Sequence, residues 1–197
     1  MPTKTLITPM DGTPEQIVLA DHAADFNPTA ANDLRVSTDG SNELDVQLDL
    51  TSVGDGAARQ SAKWDFGAHW AREYSIRAAF EMAATPTTGD VIEVFFAWSN
   101  SATAATANPA NLTGSDAAYT GYSANLDDSV KQLVGPYLFV CTVQVTATVQ
   151  VGHVGTIYPH GRYGICVVKN ESGAAFHSDA VETHMVFDPV LPEFQDA

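Results

Sequence analysis

The stretch Phe139-Val140-Cys141-Thr142-Val143-Gln144-Val145-Thr146-Ala147-Thr148-Val149-Gln150-Val151 alternates at every position but Val140. Phe139, Cys141, Val143, Val145, Ala147, Val149 and Val151 share one parity, and Thr142, Gln144, Thr146, Thr148 and Gln150 share the other. Successive side chains of a strand point to opposite faces, so the pattern predicts a strand with one apolar and one polar face. Its 13 positions, at about 3.3 Å each, would span roughly 40 Å, beyond ordinary strand length. Either one long strand bends and changes sheet, or a tight turn lies near Thr146. No Gly, Pro, Asn or Asp marks a turn there, which favours the bent strand.

The same period recurs on either side. Glu43 to Leu50 places Leu44, Val46, Leu48 and Leu50 on one face and Glu43, Asp45, Gln47 and Asp49 on the other, a half-buried strand with an acidic solvent face. Tyr74 to Met82 repeats the design, with Tyr74, Ile76, Ala78, Phe80 and Met82 inward. Val91 to Trp98 is apolar on both faces and predicts a central strand covered on each side. Arg162–Lys169 and Val181–Asp188 read as a pair joined through the turn at Asn170–Gly173. Thr5–Thr8 and Gln16–Ala20 read as a hairpin around the Pro9–Pro14 turn. Helical signals are weak: Leu126, Val130 and Leu133 fit one or two turns, Asp127 and Asp128 suit the first turn, and Gly56–Lys63 predicts a short helix.

Eight or nine strands with turns between them predict an all-β fold, a two-layer antiparallel β-sandwich of jelly-roll type with long loops and little helix. The 197 residues form a single domain: residues 1–43 an N-terminal hairpin or arm region packed on or extending from it, residues 44–197 the sandwich. The first 43 residues hold seven of the 24 acids and read either as edge strands or as an arm reaching a neighbour. Cys141 and Cys166 sit in strand-like runs as buried free thiols. The opening residues carry no apolar run of signal-peptide length, which points to synthesis in a cytoplasm.

Charge excludes whole classes of partner. Twenty-four acids against nine bases give −15 at pH 7, a balance that repels phosphate backbones and anionic lipid, so neither nucleic acid nor membrane is expected as partner. No nucleophile elbow, P-loop or dinucleotide fingerprint occurs, so the chain reads as no enzyme and as needing no cofactor. His177, Asp179, Glu182 and His184 form the densest set of metal-ligand types, but a solvated strand face explains them as well, and no metal is expected. Trp64 and Trp70 bracket a loop and suit either a sugar-stacking platform or a plug at the end of the sandwich, the commoner fate of Trp.

One segment looks built for a partner. Ser99 to Asn125 is a 27-residue connection without Lys or Arg, mostly Ala, Ser, Thr, Asn and Gly. Structureless connections of that length are usually functional or disordered. The loop reads either as ordered against a neighbouring subunit, with Asn108, Pro109, Leu112, Tyr119 and Tyr122 as contact residues, or as a free surface excursion.

The run Phe95-Phe96-Ala97-Trp98-Ser99-Asn100-Ser101-Ala102-Thr103, continuing through Asn108-Pro109 to Gly114-Ser115-Asp116-Ala117-Ala118-Tyr119, resembles small virion proteins of tailed bacteriophages, as does Gly161-Arg162-Tyr163-Gly164 with Asn170 to Asp179. Within that group the chain most resembles capsid decoration, or cement, proteins. The resemblance covers residues 90 to 190 in style and phrase and carries no catalytic residues. It implies a virion structural protein, made in the host cytoplasm, that sits on the capsid exterior. There it would clamp neighbouring copies of the major capsid protein as a homo-oligomer, a trimer foremost. A carbohydrate-binding sandwich on the virion surface, or a tail-tube or tail-tip component, are the alternatives.

Overall fold

The computed structural model of the chain describes residues 4–6, 16–36, 43–68, 70–142, 148–179, 181–190 and 193–195. In chain order its elements are β1 (Lys4–Leu6), β2 (Gln16–Ala20), β3 (Glu43–Gln47), β4 (Ala58–Gln60), β5 (Trp64–Asp65), β6 (Tyr74–Glu81), β7 (Val91–Ser99) and β8 (Ala117–Ala118), then α1 (Leu126–Val130), β9 (Val134–Val140), β10 (Val149–Ile157), β11 (Tyr163–Glu171), β12 (His184–Pro189) and β13 (Glu193–Gln195). One sheet runs β10-β6-β12-β2-β3 and a second β8-β4-β11-β7-β9, with β5 also on β11; β1 and β13 form a separate ribbon. All pairings are antiparallel except β2 with β3.

The eight principal strands in chain order are β2, β4, β6, β7, β9, β10, β11 and β12. The first, eighth, third and sixth neighbour one another in one sheet, and the second, seventh, fourth and fifth in the other. That interleaving is a jelly roll, two Greek keys wrapped into a sandwich. The fold is the all-β sandwich that the alternation predicts. Tyr74, Ile76, Ala78, Phe80 and Met82 all lie buried on the inner side of β6, and Val46, Leu48 and Leu50 do the same at and after β3. Between the sheets they meet Ile92, Val94 and Phe96 of β7, Phe139 of β9, Cys166 of β11 and Phe187 of β12.

The structure corrects several local expectations, each because alternation fixes a face but not a neighbour. Phe139–Val151 is not one strand: β9 ends at Val140 in the second sheet and β10 starts at Val149 in the first. The chain does change sheet, and residues 143–147 between lie outside the described ones. The change also inverts the parity. Phe139 and Cys141 are buried, whereas beyond the crossing Gln150 is 1 % exposed and Val151 44 %. β11 and β12 do not form a hairpin; they lie in opposite sheets, β11 on β7 and β12 on β6 and β2. β1 pairs with β13 rather than with β2, and the Pro9–Pro14 turn lies outside the described residues. β2, buried at all five positions, lies inside its sheet between β12 and β3, so residues 16–20 belong to the sandwich rather than to an arm. Gly56–Lys63 holds β4 instead of a helix, because β11 offers it a ladder.

Each sheet is covered on its outer side by the chain itself. Residues 100–133 lie on the second sheet, where Ala110, Leu112, Tyr119, Val130 and Leu133 bury Phe95 and Ala97 of β7 with Ile165 and Val167 of β11. Residues 21–36 strap the first sheet. Phe26 packs against the His184 ring at 5.2 Å, and Arg77 donates to the Leu34 carbonyl at 3.0 Å.

Candidate interaction surface

Two of the groups that suggested chemistry, Glu182 and His184, hold the strap over the first sheet. Leu34 N–H donates to His184 Nε2 at 3.1 Å, so Nδ1 carries the ring proton and donates to the Glu182 carbonyl at 2.8 Å. Burial among these partners pushes the His184 pKa down. The Glu182 carboxylate, itself buried, accepts from Thr29 N–H at 3.0 and 3.2 Å. His177 binds the backbone of Asp179. Thus His177, Asp179, Glu182 and His184 do not converge, and no group of three ligand-type side chains poised for a metal occurs among the described residues. Burial pushes the Cys141 thiol up to about 11 and Cys166 higher still, which leaves both as inert core thiols. Trp64 is 4 % exposed in the core, its ring lying over Gly164, and so is a plug rather than a platform; Trp70 packs half-buried beside the same core.

The long loop has a different role from either one its composition suggests. It is ordered, but against its own sheet. Leu112 is 4 % exposed and Tyr119 2 %, with the Tyr119 hydroxyl donating to the Ala110 carbonyl at 2.7 Å. Asn108 is half-buried and ties Ala104 to Leu112 through its amide, and Pro109 is half-buried beside it. Of the five residues proposed as contacts, Tyr122 alone is exposed, at 49 %. The cation that the loop lacks comes from outside it: Lys63 donates to the carbonyls of Ser101, Thr103 and Thr106 and to Ser99 Oγ at 2.8–3.1 Å.

Most of the large apolar residues exposed among the described ones lie on the side where β9 and β10 end their sheets. Val134, Leu138 and Val140 on β9, Val151 on β10 and Tyr158 just beyond it are five of the eight large apolar residues exposed among those described. The two strands approach closely because β10 has glycine where β9 has rings. A Cβ at Gly155 would lie 2.6 Å from Tyr137 Cδ1, and one at Gly152 3.1 Å from Phe139 Cε2. Phe139 and Tyr137 thereby close the side of the core, against Phe80 at 4.9 Å and Phe96 at 5.5 Å, while the intervening side chains Leu138 and Val140 face out.

The edge of β9 has a defined set of open backbone groups. Cys141 N–H donates to the Asp90 carbonyl of the β7 side. By alternation Phe139, paired with Ile92, faces β7 as well, and the N–H and C=O of Leu138 and Val140 face away from the sheet. Pro136 has no N–H to offer, and Thr142 N–H donates to Gln150 Oε1 at 3.0 Å. The open stretch is therefore bounded at both ends.

The two strands of this side carry no charged residue of their own. No Asp, Glu, Lys or Arg occurs between Gln132 and Gly161, where the chain-wide frequency would place about five. That gap is the sequence signal for the surface, and the alternation within it obscures the signal by placing Val151 on the apolar face. Among the described residues no helix is long and apolar enough to cross a membrane. No protein-family model, no curated protein and no solved structure matches this chain.

Proposed function

We propose that the protein is a non-enzymatic structural subunit that joins a larger protein assembly through the uncharged β9/β10 side. That side carries the reading: the outer sheet faces are covered by the chain's own segments, Glu182 and His184 hold one of those segments, and among the described residues an apolar edge stays exposed on a molecule of charge −15. Exposed apolar groups rimmed by polar surface are the usual mark of a protein contact. Two open strand edges add a template for pairing.

The setting proposed is the outside of a tailed-phage capsid, as a cement protein bridging major capsid subunits. The resemblance of residues 90 to 190 to phage virion proteins supports it, and the acidic balance suits a position away from packaged DNA. Binding only to the assembled shell would stabilise that shell by mass action. A density map of the parent particle tests this. Density for the chain on the outer surface, bridging capsid subunits, is the expected result; its absence, or its placement in the tail, overturns the proposal.

A further inference from the structure

We infer that the occupant of the β9 edge is a second copy of this chain, paired antiparallel about a two-fold axis through Phe139, so that the second sheets of two molecules become one. The inference deepens the assembly reading above by naming the partner of that side.

The open groups of β9 are self-complementary. With Phe139 opposite Phe139 of the other copy, Leu138 lies opposite Val140 and Val140 opposite Leu138. Each such pair exchanges two N–H···O=C bonds, which uses both N–H and both C=O groups of Leu138 and Val140 in each copy. One step further, Pro136 meets Thr142, where the first has no N–H and the second has already given its own to Gln150. The ladder ends where the donors end, and that fixes the register. On the outer face the same pairing sets Leu138 against Val140, an apolar cross-strand pair of side chains 46 % and 53 % exposed in the single molecule.

Charge selects the partner. Two copies approaching by most of their surface bring carboxylates together, since each carries −15. Approach along residues 132–161 brings few charges together: the segment holds no Asp, Glu, Lys or Arg, and Glu93, the cross-strand neighbour of Leu138, lies 3.9 Å from Lys169. A basic partner would call for a row of carboxylates, whereas β9 offers Leu138 and Val140. The arrangement is isologous and closes at two copies.

Sedimentation of the purified full chain across a concentration series tests the pairing, together with two variants. Leu138→Lys places a charge on each side of the axis. Val140→Pro removes one open N–H per copy at an edge position where proline is tolerated in the single molecule. The expected result is a reversible dimer that both variants weaken by about tenfold or more, with thermal unfolding of the variants retained. If Val140→Pro does not fold, Leu138→Lys decides. A monomer at every concentration, a three-fold ring, association only on adding capsid protein, or a dimer indifferent to the variants overturns the inference. A dimer alongside a particle map lacking the chain overturns the cement reading and leaves the pairing intact; a monomer that decorates shells does the reverse.

Discussion

The outer face of the second sheet and the β9/β10 side are built from the same kinds of residue and meet opposite fates. On the covered face, Phe95, Ala97, Ile165 and Val167 lie under Leu112, Tyr119 and Val130, and all are at most 6 % exposed. One strand along the same sheet, Leu138 and Val140 are about half exposed. The difference lies in the connection. The chain between β7 and β9 is long enough to return over β7 and β11, with Ala110 packed to 1 % exposure and Lys63 gathering its carbonyls. It stops short of β9. Covering an apolar face takes a dedicated segment, and among the described residues there are two, one per sheet, with none over the edge.

Substitutions at matched positions should separate the regions. Leu112→Ala opens a cavity under the loop and should cost about 2–4 kcal/mol, measured by denaturant unfolding; a loss below half that would mean that the loop is not part of the core. Gly155→Val should cost about 1–3 kcal/mol, because its side chain enters the Tyr137 ring that closes the β9/β10 side. An unchanged midpoint would show that the two strands are not in close contact.

The strap over the first sheet is held by a group that titrates near neutral pH. His184 is neutral in the fold with its pKa lowered, so below about pH 6.5 the unfolded chain binds a proton that the folded chain refuses. Stability should therefore fall as pH drops through 6.5, by at most about 1.4 kcal/mol per pH unit from this group. His184→Gln should flatten that slope between pH 6.5 and 5, and a slope unchanged in the variant would reassign it. Smallest of all, Leu138→Ala should alter single-molecule stability by no more than about 0.5 kcal/mol. A larger loss, measured in dilute solution, would mean that the edge is covered within one molecule.

Much of the sandwich was legible from period two alone. The inward rows of β6 and β3 and the two-sided burial of β7 follow from which residues alternate. The short helix follows from Leu126, Val130 and Leu133, and Asn125 caps it by accepting from Asp128 N–H. Strand partners were not legible: β11 and β12 are consecutive principal strands yet lie in different sheets, and β1 pairs with the far end of the chain. Pairing is decided by the whole wrap of the jelly roll, which no local window contains. The interaction residues were the least legible. Leu112 and Tyr119 look like contact residues because they are the large members of a polar loop, and for the same reason they anchor it to the sheet. Val151 looks buried because it continues the apolar parity, and it faces outward because the crossing turns the strand over. Val140 already sits on the polar parity, and only its apolar side chain hides that it faces out.

Residue-resolved amide hydrogen exchange at several protein concentrations reads the central claim directly. Phe139 N–H, bonded toward β7, should be protected throughout, whereas Leu138 and Val140 should exchange freely when dilute and gain protection together as concentration rises. Rapid exchange at Leu138 and Val140 at every concentration, or protection already complete in the dilute single molecule, would contradict it.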